Sequence, residues 1–377
     1  MKSVERILLL PICGLGDAVC YMPFLHALRG KFPDAEIVVI VATDSAKAII
    51  AGSSLDIEVV VFNRRQQRGW MELLRLLSAL RRRKFEVVIS GAHPNSLRVP
   101  LLAYLCCRKT RIGANSERLS FLFNRTVNVR TDAHAFERYR QLLTAVGIQM
   151  PFEEYVPTLE PPREARDSAM QLWTEAGLDQ AECVVGMASG ADLNRRGRWV
   201  ASLKRWKIEG YAEVATWAAK NAGARLVMFG TPEEAPLAAA IASTSGVPIV
   251  NLCVEKNGVP ELQWLLRKCA AFVSNDTGTM HMAAALGTPV VALFGPTSPA
   301  SCGPLGTLSH TLCGQAPCSP CFPHPTCDLT HCLAMENISS QQVIECLSSI
   351  LVARKAAALL SVSSLGNSDQ NLARKQI

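Results

Sequence analysis

The sequence predicts an α/β protein of two doubly wound halves facing each other across a cleft. Three observations carry this. Short apolar, β-branched runs alternate with helix-length stretches, the pattern of βαβ units on a parallel sheet. The alternation occurs twice, on either side of a proline-rich, acidic stretch at 151–162. The run 275–295 reads as strand end, Asp-Thr-Gly turn, short small-residue helix and second apolar strand. Such a turn aims free backbone N–H groups and the positive end of a helix at one point, which suits a phosphate.

Length and composition agree. The 377 residues suffice for two domains, and 49% apolar content supplies their cores. Only 19% of residues are charged, which excludes general disorder.

In the first half, strands are predicted at 6–12, 36–41, 58–62, 85–90 and 110–113. Helices are predicted at 18–31, 45–51, 70–83, 95–106 and 133–146. Near-continuous apolar strands such as Ile7-Leu-Leu-Leu10 suit a sheet covered on both faces. Proline at 157, 161 and 162 marks a linker without regular structure. In the second half, helices at 166–176, 210–221, 233–243 and 260–268 alternate with strands at 183–188, 225–229, 248–251, 269–274 and 289–294. Two Rossmann-like domains follow, 1–155 and 156–355, with a polar, flexible tail over 356–377.

The net charge of +7 gathers in clusters: Arg64-Arg65, Arg81-Arg82-Arg83-Lys84, Arg195-Arg196-Gly-Arg198 and Lys204-Arg205-Trp-Lys207. These fit a phosphorylated ligand or an anionic membrane surface, or in the case of 81–84 a solvated helix face. No nucleic-acid partner is expected, because no known module is present and the basic residues are not interleaved with aromatics. No export-signal pattern opens the chain, and no apolar run reaches the ~18 residues of a membrane span. The expectation is a cytoplasmic protein able to rest on the cytoplasmic face of the inner membrane. Its 14 cysteines should then be mostly thiols.

The first strand ends in Cys13-Gly14-Leu15-Gly16-Asp17. Gly14 and Gly16 allow a tight turn and a close backbone approach. A dinucleotide fingerprint is ruled out, since position 19 is Val where a third glycine is needed. Asp17 is placed at or near a helix N-cap, where it can serve as a cap or as a carboxylate that takes a proton from a hydroxyl.

Several segments together resemble glycosyltransferase family 9, the lipopolysaccharide heptosyltransferases. Gly14-Leu-Gly-Asp17 with Met22-Pro23 and Phe32-Pro33-Asp34 resembles the family's opening. Arg111-Ile-Gly113, then His134 with Glu137-Arg138-Tyr139, then Lys204-Arg205-Trp206 follow in the family's order. Asp276-Thr-Gly-Thr-Met-His281, Gly287-Thr-Pro289 and Phe294-Gly-Pro-Thr297 resemble its main signature. The likeness runs from about residue 6 to 350.

The resemblance implies a GT-B fold and an inverting, metal-independent transferase. Its donor would be a nucleotide-sugar, usually ADP-heptose, and its acceptor a lipid-linked or glycan molecule of the lipopolysaccharide core. Asp17 would be the catalytic base. Lys204 would contact the donor phosphates, a fixed charge where other transferases use a metal. The backbone amides of Thr277, Gly278, Thr279 and Met280 would cradle the diphosphate. Glu234 would contact the ribose, though a glutamate in a first helical turn also answers the helix dipole. Asp276 would line the donor site or cap a helix. His281 would orient the phosphate or donor sugar, or simply pack. Arg195, Arg196 and Arg198 would meet acceptor phosphates or lie on a surface loop.

The chain departs from the family in reading Gly186-Met-Ala-Ser-Gly-Ala191 where His-Pro-Gly-Ala is common, which leaves the donor open. Two other readings stand beside the transferase: a sugar-nucleotide epimerase or hydrolase, and a binding protein that has lost catalysis. Asp17, Lys204 and Asp276 together argue against the second. No cofactor is expected in catalysis. Cys318, Cys321, Cys327 and Cys332 could hold a structural Zn or Fe, form disulfides or stay free thiols, with His324 and His331 as substitute ligands.

Overall fold

Two parallel six-stranded sheets organise the chain. The computed structural model describes residues 4–62, 70–92, 96–130, 133–190, 202–253, 258–306, 308–321 and 331–373. The first sheet holds Arg6–Leu10 (β1), Glu36–Val41 (β2), Glu58–Val61 (β3), Val87–Ser90 (β4), Thr110–Ala114 (β5) and Arg125–Val127 (β6). The second holds Val184–Ala188 (β7), Arg225–Phe229 (β8), Ile249–Leu252 (β9), Ala271–Asn275 (β10), Val290–Phe294 (β11) and Ser309–Cys313 (β12). Their orders are β3-β2-β1-β4-β5-β6 and β12-β11-β10-β7-β8-β9. Counted from its own first strand, each sheet is ordered 3-2-1-4-5-6, so the chain folds the same way twice. Strand order reverses between β1 and β4, and between β7 and β10. Open α/β sheets bind ligands at such points, beyond the carboxyl ends of the strands.

Helices Leu15–Lys31 (α1), Asp44–Ala51 (α2), Trp70–Arg82 (α3), Arg98–Cys106 (α4) and Ala135–Leu143 (α5) belong to the first half. Arg166–Glu175 (α6), Ile208–Ala222 (α7), Ala235–Ser245 (α8), Val259–Lys268 (α9) and Gly278–Ala285 (α10) belong to the second. Pro299–Cys302 (α11), Leu333–Glu336 (α12) and Ser340–Ala373 (α13) follow. The backbone of α13 is helical through Ala373, across the stretch whose composition predicted a tail.

Strand β1 shows why the core forms. Ile7 and Leu9 face one core and Leu8 and Leu10 another, and all four are fully buried. The Leu8 and Leu10 side is covered by α3 and α4, through Leu80, Val99, Ala103 and Cys106. The opposite side carries α1, whose residues Ala18 to Leu25 are buried without a break. A helix buried all round lies between two apolar layers. Here they are the first sheet and the second half of the chain, because α1 packs on α10.

Two glycines make that contact possible. A Cβ on Gly16 would lie 3.2 Å from the Gly278 Cα, and one on Gly278 would lie 3.0 Å from the Gly16 backbone nitrogen. Backbone cannot swing aside as a flexible side chain can, so the two turns abut only as glycines. The linker adds straps. The Tyr155 hydroxyl donates to Cys20 O (3.3 Å), Leu159 N to Ala285 O (2.9 Å), and Trp264 Nε1 to Pro162 O (2.8 Å). A single 3-10 turn, Phe152–Glu154, interrupts the irregular stretch expected there.

Candidate functional site

The site is built from the turns that leave β1, β7, β8 and β10. In the second half, buried Asn275 ends β10 and ties the turns together. Its Nδ2 donates to Ser189 O (2.8 Å) and Gly190 O (3.0 Å), beyond β7. Its Oδ1 accepts from Trp206 N (3.2 Å) and lies 3.0 Å from the Tyr211 hydroxyl. One side chain thus spans the reversal point of the sheet and fixes the segment carrying Lys204. Trp206 is locked further: Nε1 donates to Ile338 O (3.0 Å), and its ring fills the space a Cβ on Gly210 would need.

Lys204 is thereby delivered to Asp276. Its Nζ donates to Asp276 Oδ2 at 2.5 Å, and the Thr297 hydroxyl donates to the same oxygen at 2.8 Å. Burial alone would raise the Asp276 pKa; the Lys204 charge and hydrogen bond, with His281 and Thr297, outweigh it and hold the carboxyl below its ordinary value. The carboxylate is therefore ionised at neutral pH. The cap reading of Asp276 gives way: the N-cap of α10 is Thr277, and the carboxylate faces Lys204 and Thr297 instead. Thr277, Gly278, Thr279 and Met280 form the cap and first turn of α10, so their N–H groups include those a helix start leaves unpaired. The Ser274, Thr277 and Thr279 hydroxyls chain together at 3.1 and 2.9 Å, which stiffens the turn.

Asp17 lies across from this turn, in the first turn of α1 and half-buried. The helix cap is Gly14, so Asp17 stands three residues past the cap, within the first turn. His281, half-buried, is the bridge. Its Cδ2 is 3.0 Å from where a Cβ on Gly16 would sit, and its ring stands edge-on to Phe136 of α5 at 6.0 Å. Burial lowers its pKa, while the Asp276 and Asp17 carboxylates pull the other way. Burial prevails, so the imidazole is neutral and Lys204 is the fixed cation. Cys20 Sγ lies 3.9 Å from His281 Nδ1, and burial keeps that thiol protonated.

Glu234 sits where the turns after β7 and β8 converge. A Cβ on Gly190 would fall 1.7 Å from its Oε1, so glycine there makes room for the carboxylate. Its Oε2 accepts from Thr231 N (2.9 Å), so the capping role is real and occupies one oxygen. The Gly186–Ala191 departure thus has a reason as far as Gly190; position 191 lies outside the described residues.

His134 also joins the halves. It caps α5 by accepting from Phe136 N at Nδ1 (3.2 Å), so Nε2 carries the proton and donates to Gly303 O (3.0 Å) in the second half. Gly303 follows Cys302, whose Sγ is 3.8 Å from Asp276 Oδ2. A cavity of about 320 Å³ opens here, lined by Arg130, His134, Glu137, Arg140 and Phe152. Burial pushes the His134 pKa down to about 4. Between about 6.5, the unfolded value, and 4 the unfolded chain binds more protons, so stability is lost as pH falls through that window. The loss should be about 2 kcal/mol after discounting for solvent screening. His134→Asn keeps a capping side chain but cannot titrate. Urea midpoints at both ends of the window should differ less for the variant than for the native protein, and equal differences would remove His134 from this role.

Of the cluster's described cysteines, Cys318 is half-buried and Cys321 and Cys332 are buried. Cys327 and His324 lie outside the described residues, as do Arg195, Arg196 and Arg198. Among the described residues no three His, Cys, Asp or Glu side chains gather to hold a metal. The four-thiol centre suggested by the spacing is thus unsupported, and no chemistry is routed through it.

Two facing Rossmann-like halves, with a basic helix start opposite a carboxylate-bearing turn, define a GT-B glycosyltransferase architecture. The glycosyltransferase family 9 (heptosyltransferase) model matches residues 73–331, and the chain belongs to that family. It is 26% identical to lipopolysaccharide heptosyltransferase 2 of Salmonella typhimurium over 317 residues, covering 81% of this chain and 87% of that protein. It is also 26% identical to lipooligosaccharide heptosyltransferase 2 of Haemophilus influenzae, where the match covers 56% of this chain and 61% of the relative. Among solved structures, a family 9 glycosyltransferase of Veillonella parvula superposes with TM-score 0.74 at 22% identity, covering 93% of this chain and 97% of that one. E. coli ADP-heptose lipopolysaccharide heptosyltransferase II gives TM-score 0.72 at 21% identity, covering 93% and 99%. No described helix is long and apolar enough to cross a membrane.

Proposed function

We propose that the protein is an inverting heptosyltransferase that moves heptose from ADP-heptose to a lipid-linked acceptor of the lipopolysaccharide core, at the cytoplasmic face of the inner membrane. One observation carries this reading: Lys204, fixed to Asp276 at the start of α10, faces the Asp17 turn across the junction of the halves. The Asp17 carboxylate takes the proton of an acceptor hydroxyl as its oxygen attacks the anomeric carbon from the side opposite the diphosphate. The bond from that carbon to the diphosphate oxygen breaks, and its electron pair leaves with ADP. Lys204 and the amides of 277–280 stabilise the charge that builds there. His281, neutral and near both Asp17 and Asp276, orients donor groups through its ring nitrogens. Glu234 stands where the turns after β7 and β8 meet, with Oε1 beside Gly190, a place that suits contact with the ribose. The cavity beside His134 suits the approach of the acceptor. The domain division at 155 follows the linker, which places Asp17 in the first half and the donor residues in the second.

The donor names carried by the relatives support heptose. The test is mass spectrometry of products from ADP-, GDP- and UDP-sugars with lipid-linked acceptors, with and without chelator. A heptose-sized mass gain from ADP-heptose, requiring acceptor and indifferent to chelator, is expected. Donor consumption without acceptor would favour a hydrolase or epimerase.

A further inference from the structure

The outer face of α3 and α4 is built unlike the rest of the surface. Leu97, Leu101 and Tyr104 fall at i, i+4 and i+7, one stripe along α4 and its N-cap, and exposed Arg108 follows just past the helix end. The three apolar members are 49%, 46% and 52% exposed. Beside them Met71, Leu74, Arg75, Arg81 and Arg82 share the outward side of α3 and are all exposed, since its inward side is taken by Leu76, Leu77 and Leu80. Phe121, in the 3-10 turn Ser120–Leu122 that packs on α4, is 78% exposed. The charge on this face is nearly all of one sign. Arg75, Arg81, Arg82, Arg98, Arg108 and Arg118 are exposed, against Glu72 among the described residues of these segments.

We propose that this face docks on an anionic phospholipid bilayer, apolar side chains at the acyl boundary and arginines on the phosphates. Aliphatic and aromatic residues mixed with arginine on a helix face that never becomes a span is the composition of an interfacial contact. The Arg111 guanidinium lies 5.3 Å over the Tyr104 ring, which keeps that ring polar on one side as an interface position requires. A second copy of the chain fits badly, because a two-fold contact would set six arginines against six. The placement serves the acceptor. In a parallel sheet, helices start at the carboxyl edge of the strands they follow, so Met71, Leu74 and Leu97 lie at the same edge as the turn bearing Asp17. The surface deepens the transferase reading, since it would offer the Asp17 edge to a lipid-linked acceptor, yet vesicle binding can be measured without any sugar transfer.

Flotation of the full chain tests it, using vesicles of phosphatidylethanolamine with phosphatidylglycerol against vesicles of phosphatidylcholine. The chain should float with the anionic vesicles, lose binding as salt rises, and stay behind with the zwitterionic ones. Each arginine changed to glutamine, at 75 and at 108, should weaken binding about fivefold. Leu101→Asp with Tyr104→Asp should abolish it while leaving thermal melting and transfer to a delipidated acceptor unchanged. Equal flotation with both vesicle types, or undiminished binding by these variants, would overturn the proposal. So would a dimer in sedimentation that Leu101→Asp breaks, with no vesicle binding in the native chain. Vesicle binding without heptose transfer would uphold the docking face and sink the transferase reading instead.

Discussion

Lys204→Met is expected to destabilise the protein by about 3 kcal/mol and to lower kcat by about 10²–10³-fold. The two effects share one cause and can be separated. Asp276 is only 8% exposed at its side chain, so removing its partner leaves a carboxylate charge in a poorly solvated place. That accounts for the stability loss, and the lower end of the usual range applies because Lys204 is 21% exposed. The rate loss arises because the departing diphosphate no longer meets a positive charge. Lys204→Met with Asp276→Asn should regain most of the stability, since a neutral amide replaces the stranded charge. It should not regain the rate. Urea unfolding and single-turnover kinetics on the variants would decide the point: if rate returns along with stability, Lys204 only holds the turn in shape.

Asp17→Asn should lower kcat by about 10²–10⁴-fold while donor affinity stays near the native value. The side chain keeps its size, and Asn accepts hydrogen bonds but cannot take the hydroxyl proton at neutral pH. Its position in the first turn of α1 gives the carboxylate a dipole contribution of about 0.3–1 kcal/mol, so a small stability change accompanies the kinetic one. Donor binding by calorimetry and the acid limb of the kcat profile are the readouts. A variant that turns over at the native rate removes Asp17 from the base role.

Much of this is legible in the sequence. The alternation of apolar strands with helices predicted ten of the strands to within a few residues, because a central parallel strand must be apolar on both faces and little else in a sequence looks like Ile7–Leu10. The two strands it missed, β6 and β12, are the outermost on their sheets at the end away from β3 and β9. Both are short and largely exposed, so their residues carry polar side chains and leave no apolar run to read. The start of α1 was placed three residues late because Leu15 and Gly16 look like loop. They are helical because Gly16 must press on Gly278, a contact between residues 262 apart in the chain.

The site divides the same way. Asp17, Lys204, Asp276 and His281 were visible as charged or titratable residues at the ends of predicted strands or in recognisable motifs. Asn275 carries a signal that periodicity alone does not register, a lone amide closing an apolar strand: buried polar groups must find partners, and this one finds four polar atoms on three segments. Glu234 was weighed as cap or ligand, and the structure gives one oxygen to the cap.

By itself the sequence determined the two-fold α/β plan, the helix starts that suit phosphate, and which residue types stand at them. These follow from local periodicity and turn chemistry, which act over a few residues. Only the tertiary structure decided that Asp276 is ionised against Lys204, that His281 is neutral near two carboxylates, and that Asn275 joins three turns. Charge states and pairings depend on burial and on neighbours brought together from distant parts of the chain, and no spacing along a sequence records either.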